Sequence, residues 1–537
     1  GITIQGTIEG TITDENGKFS LVVSENRNWL DVTALGYGTV SLKANKSNIN
    51  IVLEEDTLAL EQVVVTGYGN GIKKESVTSS IATIDSKNLV RSAASHVSTA
   101  LAGKISGVNF RQMDGQPGAA TSISIRNMGT ALFVIDGVQS TQGSFNNLDF
   151  NDIESISVLK DASAAIYGVQ AANGVIVVTT KSGKRKEGHQ VNVNLYGAGQ
   201  SWFRYPRPAS TEQFIAGHIQ SATITGTQGD YTIDDLTGYR NGTKQGFDWY
   251  DYVIKKSSPQ RYVSASASGG TDKINYYASL GYLNQESIIR NYGGFERYNV
   301  QFNLDAQVNK KLKIGMRFNG RVEDNNHPAV PGDDVWAAIF AIWRNPPTNR
   351  PFANDNPEYP AVTSNTASTN FAILNYDRSG YWQDTYRVGQ VIGNIEYDII
   401  DGLKLKGTAS YYYGSRWYEC QEYTYNLYSY DKATDSYNVE YSLTNPFRQR
   451  IVSFQEQIMG QAQLSYDKKF GKHTISALAA AEAYHEINPG LDTWSRPASN
   501  YINTISYSSL ERYVDNKNDE AARAGFVGRV NYNYGDR

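Results

Sequence analysis

The chain has 537 residues, of which 40% are hydrophobic and 12% aromatic, and its formal net charge is −4. No apolar run approaches the ~18 residues of a membrane-spanning helix, so we expect no helical span. The slightly acidic balance argues against nucleic acid as a partner, and the single cysteine, Cys420, excludes an internal disulfide framework.

Residues 1–56 predict a small β domain. Residues 10–23 are typical of a hairpin with a polar turn at 14–17, and segments 30–34 and 49–53 are expected to be strands. Asp14, Glu15 and Asn16 could suggest calcium, but the loop lacks the later ligands of a calcium-binding hand. We therefore expect a plain turn and no metal.

A short acidic linker then leads into an apolar, β-branched run that glycines close. The run consists of Val63, Val64, Val65, Thr66, Gly67 and Tyr68. Such a segment on a tether is suited to pairing as an extra strand with the sheet edge of another protein. An ordinary strand of the neighbouring domain is the alternative.

Residues 132–183 predict a compact α/β unit. Segments 132–138, 154–159 and 175–180 have the apolar content of buried strands, and Asp161 can cap a helix over 162–167. Gly168 and the Asn173–Gly174 pair supply turns.

Long alternating strands follow this unit. Apolar residues occupy every second position of 300–308, polar residues fill the positions between, and 312–318 repeats the pattern after a turn at 309–310. Because strand side chains point to opposite faces, these segments form a hairpin with one apolar and one polar face. The same pattern recurs near 191–195, 274–282, 403–413, 458–466 and 526–534, which indicates about ten strands.

The predicted connections alternate between tight and long. Residues 269–273, 309–310, 401–402 and 468–472 are tight, whereas 202–260, 322–380, 418–450 and 485–521 are long. Short turns at one end and long loops at the other favour an outer-membrane barrel over a soluble β-sandwich, which is the alternative. The chain stops in a turn after one strand, and an unpaired edge in lipid is untenable, so we expect the natural chain to be longer.

Several segments together resemble the SusC/RagA family of TonB-dependent outer-membrane transporters from Bacteroidetes. They read GTITDENGKFSL, LEQVVVTGYG, LAGKISGVNF, SISIRNMG, LFVIDGV and SVLKDASAAIYGVQAANGVIVVTTKSG, in the family's order. One departure is the short stretch after Arg126, because the family commonly has a longer loop there. The plug loop that faces the substrate is therefore expected to be short.

The resemblance implies a mainly β fold with four parts. Residues 1–56 would be a β-sandwich-like, carboxypeptidase-regulatory-like N-terminal extension that lacks its first strand, and residues 57–71 a linker that contains the Ton box. Residues 72–186 would be the α/β plug. Residues 187–537 would be a partial antiparallel transmembrane barrel of the 22-stranded type.

The resemblance also implies a mechanism and its partners. The Ton box, at Val63, Val64, Val65, Thr66, Gly67 and Tyr68, would pair with TonB, which ExbB and ExbD energise. The charged residues expected between plug and wall are Arg111, Arg126, Asp136, Glu154, Lys160 and Asp161.

A SusD-like surface lipoprotein would cover the barrel, and the loops would contact it or the substrate through Trp336, Trp343, Tyr359, Trp382, Trp417 and Tyr418. The cargo would be an oligosaccharide or, as for RagA, an oligopeptide. Outer-membrane lipid would surround the barrel, the extension would lie in the periplasm, and two transporter–lid pairs would form a dimer. No cofactor is implied.

Three other functions are less compatible with the sequence. An enzyme is not expected, because the six histidines are scattered and no nucleophile elbow or phosphate loop is present. A passive porin needs neither plug nor Ton box. A surface adhesin would bind without uptake, so deletion of residues 63–68 would leave growth on the ligand unchanged.

Overall fold

The computed structural model describes residues 2–4, 9–14, 17–23, 29–34, 37–44, 48–53, 63–64, 72–73, 81–85, 94–112, 115–119, 121–160, 162–183, 188–329, 335–363, 370–505 and 511–535.

The N-terminal region forms a small antiparallel sheet. Its strands are β1 (Ile2–Ile4), β2 (Gly10–Thr11), β3 (Trp29–Ala34) and β4 (Tyr37–Lys43), in the order β2-β1-β3-β4. Ile2, Ile4, Leu30 and Val32 form its core. At the predicted turn the Lys18 amide donates to Asp14 Oδ1 at 2.7 Å. The predicted hairpin over 10–23 is nevertheless wrong, because residues 17–23 form no strand and β2 pairs with β1. Residues 49–53 likewise form no strand.

Two short strands follow. β5 (Val63–Val64) pairs antiparallel with β6 (Ile72–Lys73), so the backbone of this segment forms a hairpin with the chain just after it. Four predicted Ton box residues, Val65, Thr66, Gly67 and Tyr68, lie outside the described residues.

The next part of the chain is the α/β unit, which we call the plug. Its strands are β7 (Ile81–Asp85), β8 (Val108–Gln112), β9 (Thr121–Ile125), β10 (Leu132–Ile135), β11 (Val138–Ser140), β12 (Ile153–Leu159) and β13 (Val175–Thr180). Its helical segments are Val97–Leu101, Gln142–Asn146, Phe150–Asp152 and Ala162–Ala171. The main sheet has the order β11-β10-β13-β12-β7, with β10 parallel to β13.

The predicted strand over 132–138 is divided into β10 and β11. Asp136 and Gly137 have φ of +49° and +85°, the pair of positive angles that a two-residue hairpin turn requires. The chain therefore reverses at this Asp–Gly turn, and Ile135 pairs with Val138.

A sheet of ten antiparallel strands, which we call the wall, makes up most of the remaining structure. It has the order β14-β15-β16-β17-β18-β19-β20-β23-β24-β25, so β14 and β25 are its edges. The strands are β14 (Gln190–Gln200), β15 (Ser258–Gly270), β16 (Ile274–Glu286), β17 (Gly294–Gln307), β18 (Leu312–Pro328), β19 (Gly380–Ile400), β20 (Leu403–Glu422), β23 (Phe447–Phe470), β24 (His473–Arg496) and β25 (Glu511–Tyr534). A separate hairpin of β21 (Tyr425–Asp431) and β22 (Ser436–Leu443) projects between β20 and β23.

The connections differ between the two ends of the wall. Turns at 271–273, 308–311, 401–402 and 471–472 lie at one end, and connections 201–257, 287–293, 329–379, 423–446 and 497–510 lie at the other. The prediction of a loop over 485–521 is wrong, because β24 extends to Arg496 and β25 begins at Glu511.

The connections at the second end contain helices Thr211–Thr225, Ile233–Arg240, Trp249–Val253, Val335–Arg344 and Tyr376–Ser379, and the short turns Ala353–Asp355 and Phe371–Ile373. Within the described part of the chain, no helix has the length and apolar content to cross a membrane.

The wall has a polar face against the plug and an apolar face directed outward. On β17, Gln301 and Asn303 are buried beside the plug, whereas Tyr298 is half exposed on the other face. Leu280 and Ile458 likewise have exposed fractions of 65% and 49% on the outward face. A soluble sheet places its apolar face inward, so this reversed arrangement is typical of a wall that contacts lipid.

Candidate functional site

The plug contacts the wall most extensively through residues 147–152. This stretch lies between helix Gln142–Asn146 and β12, and Asp149 caps the short turn of helix after it by accepting the Asn151 amide at 2.8 Å. The turn directs side chains of this stretch toward β15–β17. We call these contacts the polar anchor, which comprises Asn147, Asp149, Asn151 and Asp152 of the plug and Tyr262, Ser264, Tyr277, Ser279, Arg297 and Asn299 of the wall.

Asp149 and Asn151 share the hydroxyl of Tyr262. That hydroxyl donates to the Asp149 carboxylate, 2.7 Å from each oxygen, and accepts from Asn151 Nδ2 at 2.5 Å. The same amide lies 3.2 Å from Ser264 Oγ. Asp149 and Tyr262 are both 2% exposed, so the bonds are shielded from water.

Asp152 contacts the next strand. Its Oδ1 accepts the Tyr277 hydroxyl at 2.8 Å and the Ser279 hydroxyl at 2.5 Å. Burial and the neighbouring Asp149 carboxylate raise the pKa of Asp152 to about 7. The protonation state of this carboxyl therefore changes near neutral pH.

Arg297 is the buried cation of the anchor, with 1% of its surface exposed. Its Nη1 donates to Asn147 Oδ1 at 3.2 Å, and its Nε donates to Asn299 Oδ1 at 3.0 Å. Burial and this guanidinium lower the pKa of His96 in the plug to about 3. His96 is therefore neutral at physiological pH, and it packs beside Phe295 with ring centroids 5.8 Å apart.

A glycine allows the close approach of Asp149 to β16. A Cβ at Gly281 would lie 2.3 Å from Asp149 Oδ2, so an alanine does not fit there without movement of the carboxylate. Aromatic packing supports the same contact, because the Tyr262 ring stacks on Phe150 at 5.3 Å and on Tyr196 at 5.1 Å.

The plug also contacts strands on the other side of the wall. Gln139 Nε2 donates to Glu482 Oε1 at 3.1 Å, and Arg523 Nη2 donates to Gln139 Oε1 at 2.5 Å. Beside this contact, Val138 packs in one apolar cluster with Ile392, Met459 and Tyr484.

The six charged residues that the sequence singled out lie in different places. Asp136 accepts the Thr180 amide and hydroxyl at 2.8 and 2.6 Å within the plug, and burial raises its pKa. Lys160 donates to the Ser106 carbonyl, also within the plug. Arg111, Arg126 and Glu154 are exposed, and Asp161 lies outside the described residues.

Sequence reasoning did not single out the residues of the polar anchor. Their signal is the dense run of Asn and Asp at 146–152, which alternates with Leu148 and Phe150. A run of this kind is typical of a solvent-exposed turn, whereas the structure buries most of it against the wall.

Two of the predicted loop aromatics come together on the face of the wall that also bears the plug contacts. Trp382 stacks on His327 at 4.3 Å, His327 stacks on Tyr292 at 4.7 Å, and Tyr418 meets Trp382 edge-on at 5.5 Å.

The other predicted aromatics lie apart from this stack. Trp417 is on the opposite face of β20 under Arg450, Trp343 Nε1 donates to the Tyr205 hydroxyl, and Tyr359 stacks on Tyr437 at 3.8 Å. Trp336 lies in helix Val335–Arg344, but the described part of the structure does not include its side chain.

Two known domain families match the chain. The TonB-dependent Receptor Plug Domain matches residues 73–175, and the CarboxypepD_reg-like domain matches residues 1–65. The first match covers strands β7 to β12 and the plug residues of the polar anchor, and it ends at the first residue of β13.

The chain is similar to curated TonB-dependent receptors of Bacteroidetes. It is 34% identical to TonB-dependent receptor P26 of Formosa agariphila over 61% of this chain and 33% of that protein. It is 28% identical to TonB-dependent receptor SusC of Bacteroides thetaiotaomicron over 79% of this chain and 46% of that protein. The chain thus spans between a third and a half of the length of these relatives.

A solved structure shares the fold. The RagAB peptide importer in its open-open state superposes with a TM-score of 0.75 at 22% identity, over 88% of this chain and 55% of that chain. The part of this chain that superposes includes most of the plug and of the large antiparallel sheet that packs against it.

Proposed function

We propose, from its relation to the SusC-like TonB-dependent receptors, that this chain is part of an importer that carries a large nutrient across the outer membrane by TonB-dependent transport. The observation that carries this proposal is the reversed wall, whose polar face surrounds a folded plug while its apolar face is exposed. A plug inside such a wall occludes a wide polar lumen, and import then requires energy to displace the plug.

In this mechanism TonB pairs with residues 63–68 by strand addition, and ExbB and ExbD energise the pull. The pairing of β5 with β6 supports the proposal, because the backbone of Val63 and Val64 is extended and pairs as a strand. We assign residues 57–71 to the linker, 72–186 to the plug and 187–537 to the barrel. Residues 1–56 would be a periplasmic extension.

The substrate we propose is an oligosaccharide, captured with a SusD-like lipoprotein that covers the connections at the second end of the wall. Stacked rings suit the flat faces of sugars, which supports roles for Trp382 and Tyr418. Trp336, Trp343, Tyr359 and Trp417 are proposed contacts with the lid or substrate. An oligopeptide is the second candidate, because a peptide importer shares the fold.

The test is deletion of residues 63–68 from the full-length transporter in its native host, with uptake and surface binding of a labelled oligosaccharide measured separately. We expect uptake to fall more than tenfold while surface binding persists. A matched control deletes the six residues 54–59, at the junction of the extension and the linker and outside the Ton box. Unchanged uptake after deletion of 63–68 would exclude TonB-dependent transport and leave an adhesin or a passive pore.

A further inference from the structure

The plug contacts the wall in two different ways, through buried hydrogen bonds at β15–β17 and across a cavity at β18–β20. Along β15–β17 the contact is made of direct, buried bonds, which include the polar anchor and also Asn303 Nδ2, which donates to Thr180 Oγ1 at 2.8 Å and to the Lys181 carbonyl at 2.6 Å. The Gly118 amide adds a bond to Gln285 Oε1 at 3.1 Å. Most direct bonds between plug and wall in the described residues are therefore on these three strands, and Gln139 adds bonds to Glu482 of β24 and Arg523 of β25.

Facing β18–β20, the plug borders a cavity of about 180 Å³. Asp136 and Thr179 line it from the plug, and its wall side includes Lys313, Arg317, Glu396 and Lys406. A second, much smaller space shares Asp136 and Arg317 with this cavity and extends toward Gln390 and Tyr412. We call the part of the boundary between plug and wall that these two spaces line the seam.

Two of the cations along the seam, Arg317 and Lys406, are paired with acidic residues of the wall. Arg317 Nη2 lies 2.9 Å from Asp305 Oδ2, and Lys406 Nζ lies 4.0 Å from Glu396 Oε1. The wall therefore keeps its ion pairs when the plug moves away. A cavity of this size with polar walls also accommodates water, so separation of its two sides leaves few groups newly unpaired.

Separation of the plug from the wall at the polar anchor, in contrast, would leave many buried polar groups unpaired. Moving residues 147–152 away from β15–β17 breaks the bonds of two buried carboxylates and of Arg297, which are charged or polar groups with little access to water. Leaving such groups unpaired is far more costly than separating hydrated surfaces.

From this asymmetry we infer that β15–β17 hold the plug in place during transport, and that the exit route opens along the seam at β18–β20. The inference rests on the proposed import function and specifies where the plug separates from the wall. The large cavity lies toward the short turns 308–311 and 401–402, which is the end where cargo would leave.

The test uses two cysteine pairs in the full-length transporter with Cys420→Ser as background, each joined by the same short bifunctional thiol reagent. The anchor pair is Asn151→Cys with Ser264→Cys, whose native side chains are 3.2 Å apart. The seam pair is Thr179→Cys with Asn394→Cys, which line the cavity from the plug and from the wall. Each single-cysteine variant treated with the reagent is a control.

We expect the linked anchor pair to retain uptake of the labelled oligosaccharide within twofold of the parent, and the linked seam pair to lose it more than tenfold. Loss of uptake in both, retention in both, or loss in the anchor pair alone would overturn the inference. Thr180→Cys with Asn303→Cys provides a second anchor pair if the first variant does not reach the membrane.

The parent transporter, with and without residues 63–68, is measured alongside. If the parent shows no uptake that depends on these residues, the proposed function itself fails. If it shows such uptake but the two cross-links do not differ as expected, only the location of the exit route is wrong.

Discussion

At the scale of single residues, Tyr262 joins the plug to the wall through both hydrogen bonding and packing. Its hydroxyl lies between Asp149 and Asn151, and its ring stacks on Phe150 and Tyr196. A buried carboxylate depends on such donors, since the cost of leaving it unsatisfied exceeds the net gain of an average hydrogen bond. We therefore expect this tyrosine hydroxyl to stabilise the contact between plug and wall by more than an average hydrogen bond does.

The substitution Tyr262→Phe tests this expectation. Removal of the hydroxyl leaves Asp149 without its donor from the wall and should make local opening of residues 147–159 easier by about 1–3 kcal/mol. Hydrogen exchange of the full-length protein in detergent measures the change. Tyr298→Phe on the outward face of β17 is the control. Equal protection in both variants would contradict the role of Tyr262.

Asp152 gives the anchor a dependence on pH. Its pKa is about 7 in the closed anchor and returns toward 3.8 when opening exposes the carboxyl to water. A group with a raised pKa in the closed state stabilises that state fully below pH 3.8, and this contribution is lost as the pH rises through 7. Between these values, the free energy of opening should increase by up to about 1.4 kcal/mol for each unit of acidification.

Hydrogen exchange of residues 147–159 at pH 5.5 and pH 8, corrected for intrinsic exchange rates, checks this dependence. We expect greater protection at pH 5.5 in the natural protein and a smaller difference in Asp152→Asn, which has no carboxyl at that position to titrate. The same pH difference in both proteins would show that another group is responsible.

The residue-level contacts could not be read from the sequence. Asn151 and Tyr262 are 111 positions apart, and Asn147 and Asn299 are 152 apart, so their contact depends on how the wall strands align. Charge drew attention to Arg111 and Glu154, which are exposed. The anchor instead uses short amides and strand tyrosines, residues that occur throughout the chain and carry no distinctive local signal.

At the scale of elements, the wall strands lengthen along the chain. β14 has 11 residues, whereas β23, β24 and β25 have 24 each. A tilted strand needs ~9–11 residues to cross a bilayer. The outward face of β23 carries Ile458 and Leu464 in its lower half, which is the half nearer the short turn 471–472. Glu456 and Arg450 lie on the same face in the upper half, nearer the long connection 423–446. We infer that the upper halves of these strands extend beyond the lipid.

A matched pair of cysteines on β24 tests this extension. Ala479→Cys and Leu491→Cys lie on the same outward face, twelve positions apart, and both native residues are exposed in the structure. We expect a membrane-impermeant maleimide to label position 491 on intact cells and not position 479, because lipid covers the latter. Efficient labelling of both positions would place the whole strand in water.

The sequence predicts the lower halves of the strands better than the upper halves. Alternation identified the hairpin of β17 and β18 and the turn between them, which the structure confirms. For residues 485–521 the sequence predicts a loop, whereas the structure has strand over much of this stretch. Beyond the lipid both faces of a strand contact water, so the alternation disappears although the backbone pairing of β24 and β25 continues.

At the scale of the whole molecule, the distribution of polar and apolar side chains in the wall is the reverse of that in a soluble protein. Buried Gln and Asn side chains of the wall surround the plug, and apolar side chains cover the outside. The predicted order of a small β domain, an α/β plug and a large antiparallel sheet is confirmed. The strands that hold the plug could not be predicted, since that depends on the orientation of one domain inside another.

The central claim is that the outward face of the wall contacts lipid while the inward face contacts the plug. A nitroxide scan of positions 457–464 on β23 of the full-length protein in bilayers tests it most directly. We expect positions 458, 460, 462 and 464 to be accessible to oxygen dissolved in lipid, and positions 457, 459, 461 and 463 to be protected. Accessibility of both sets to a water-soluble relaxation agent, or no alternation between them, would contradict the claim.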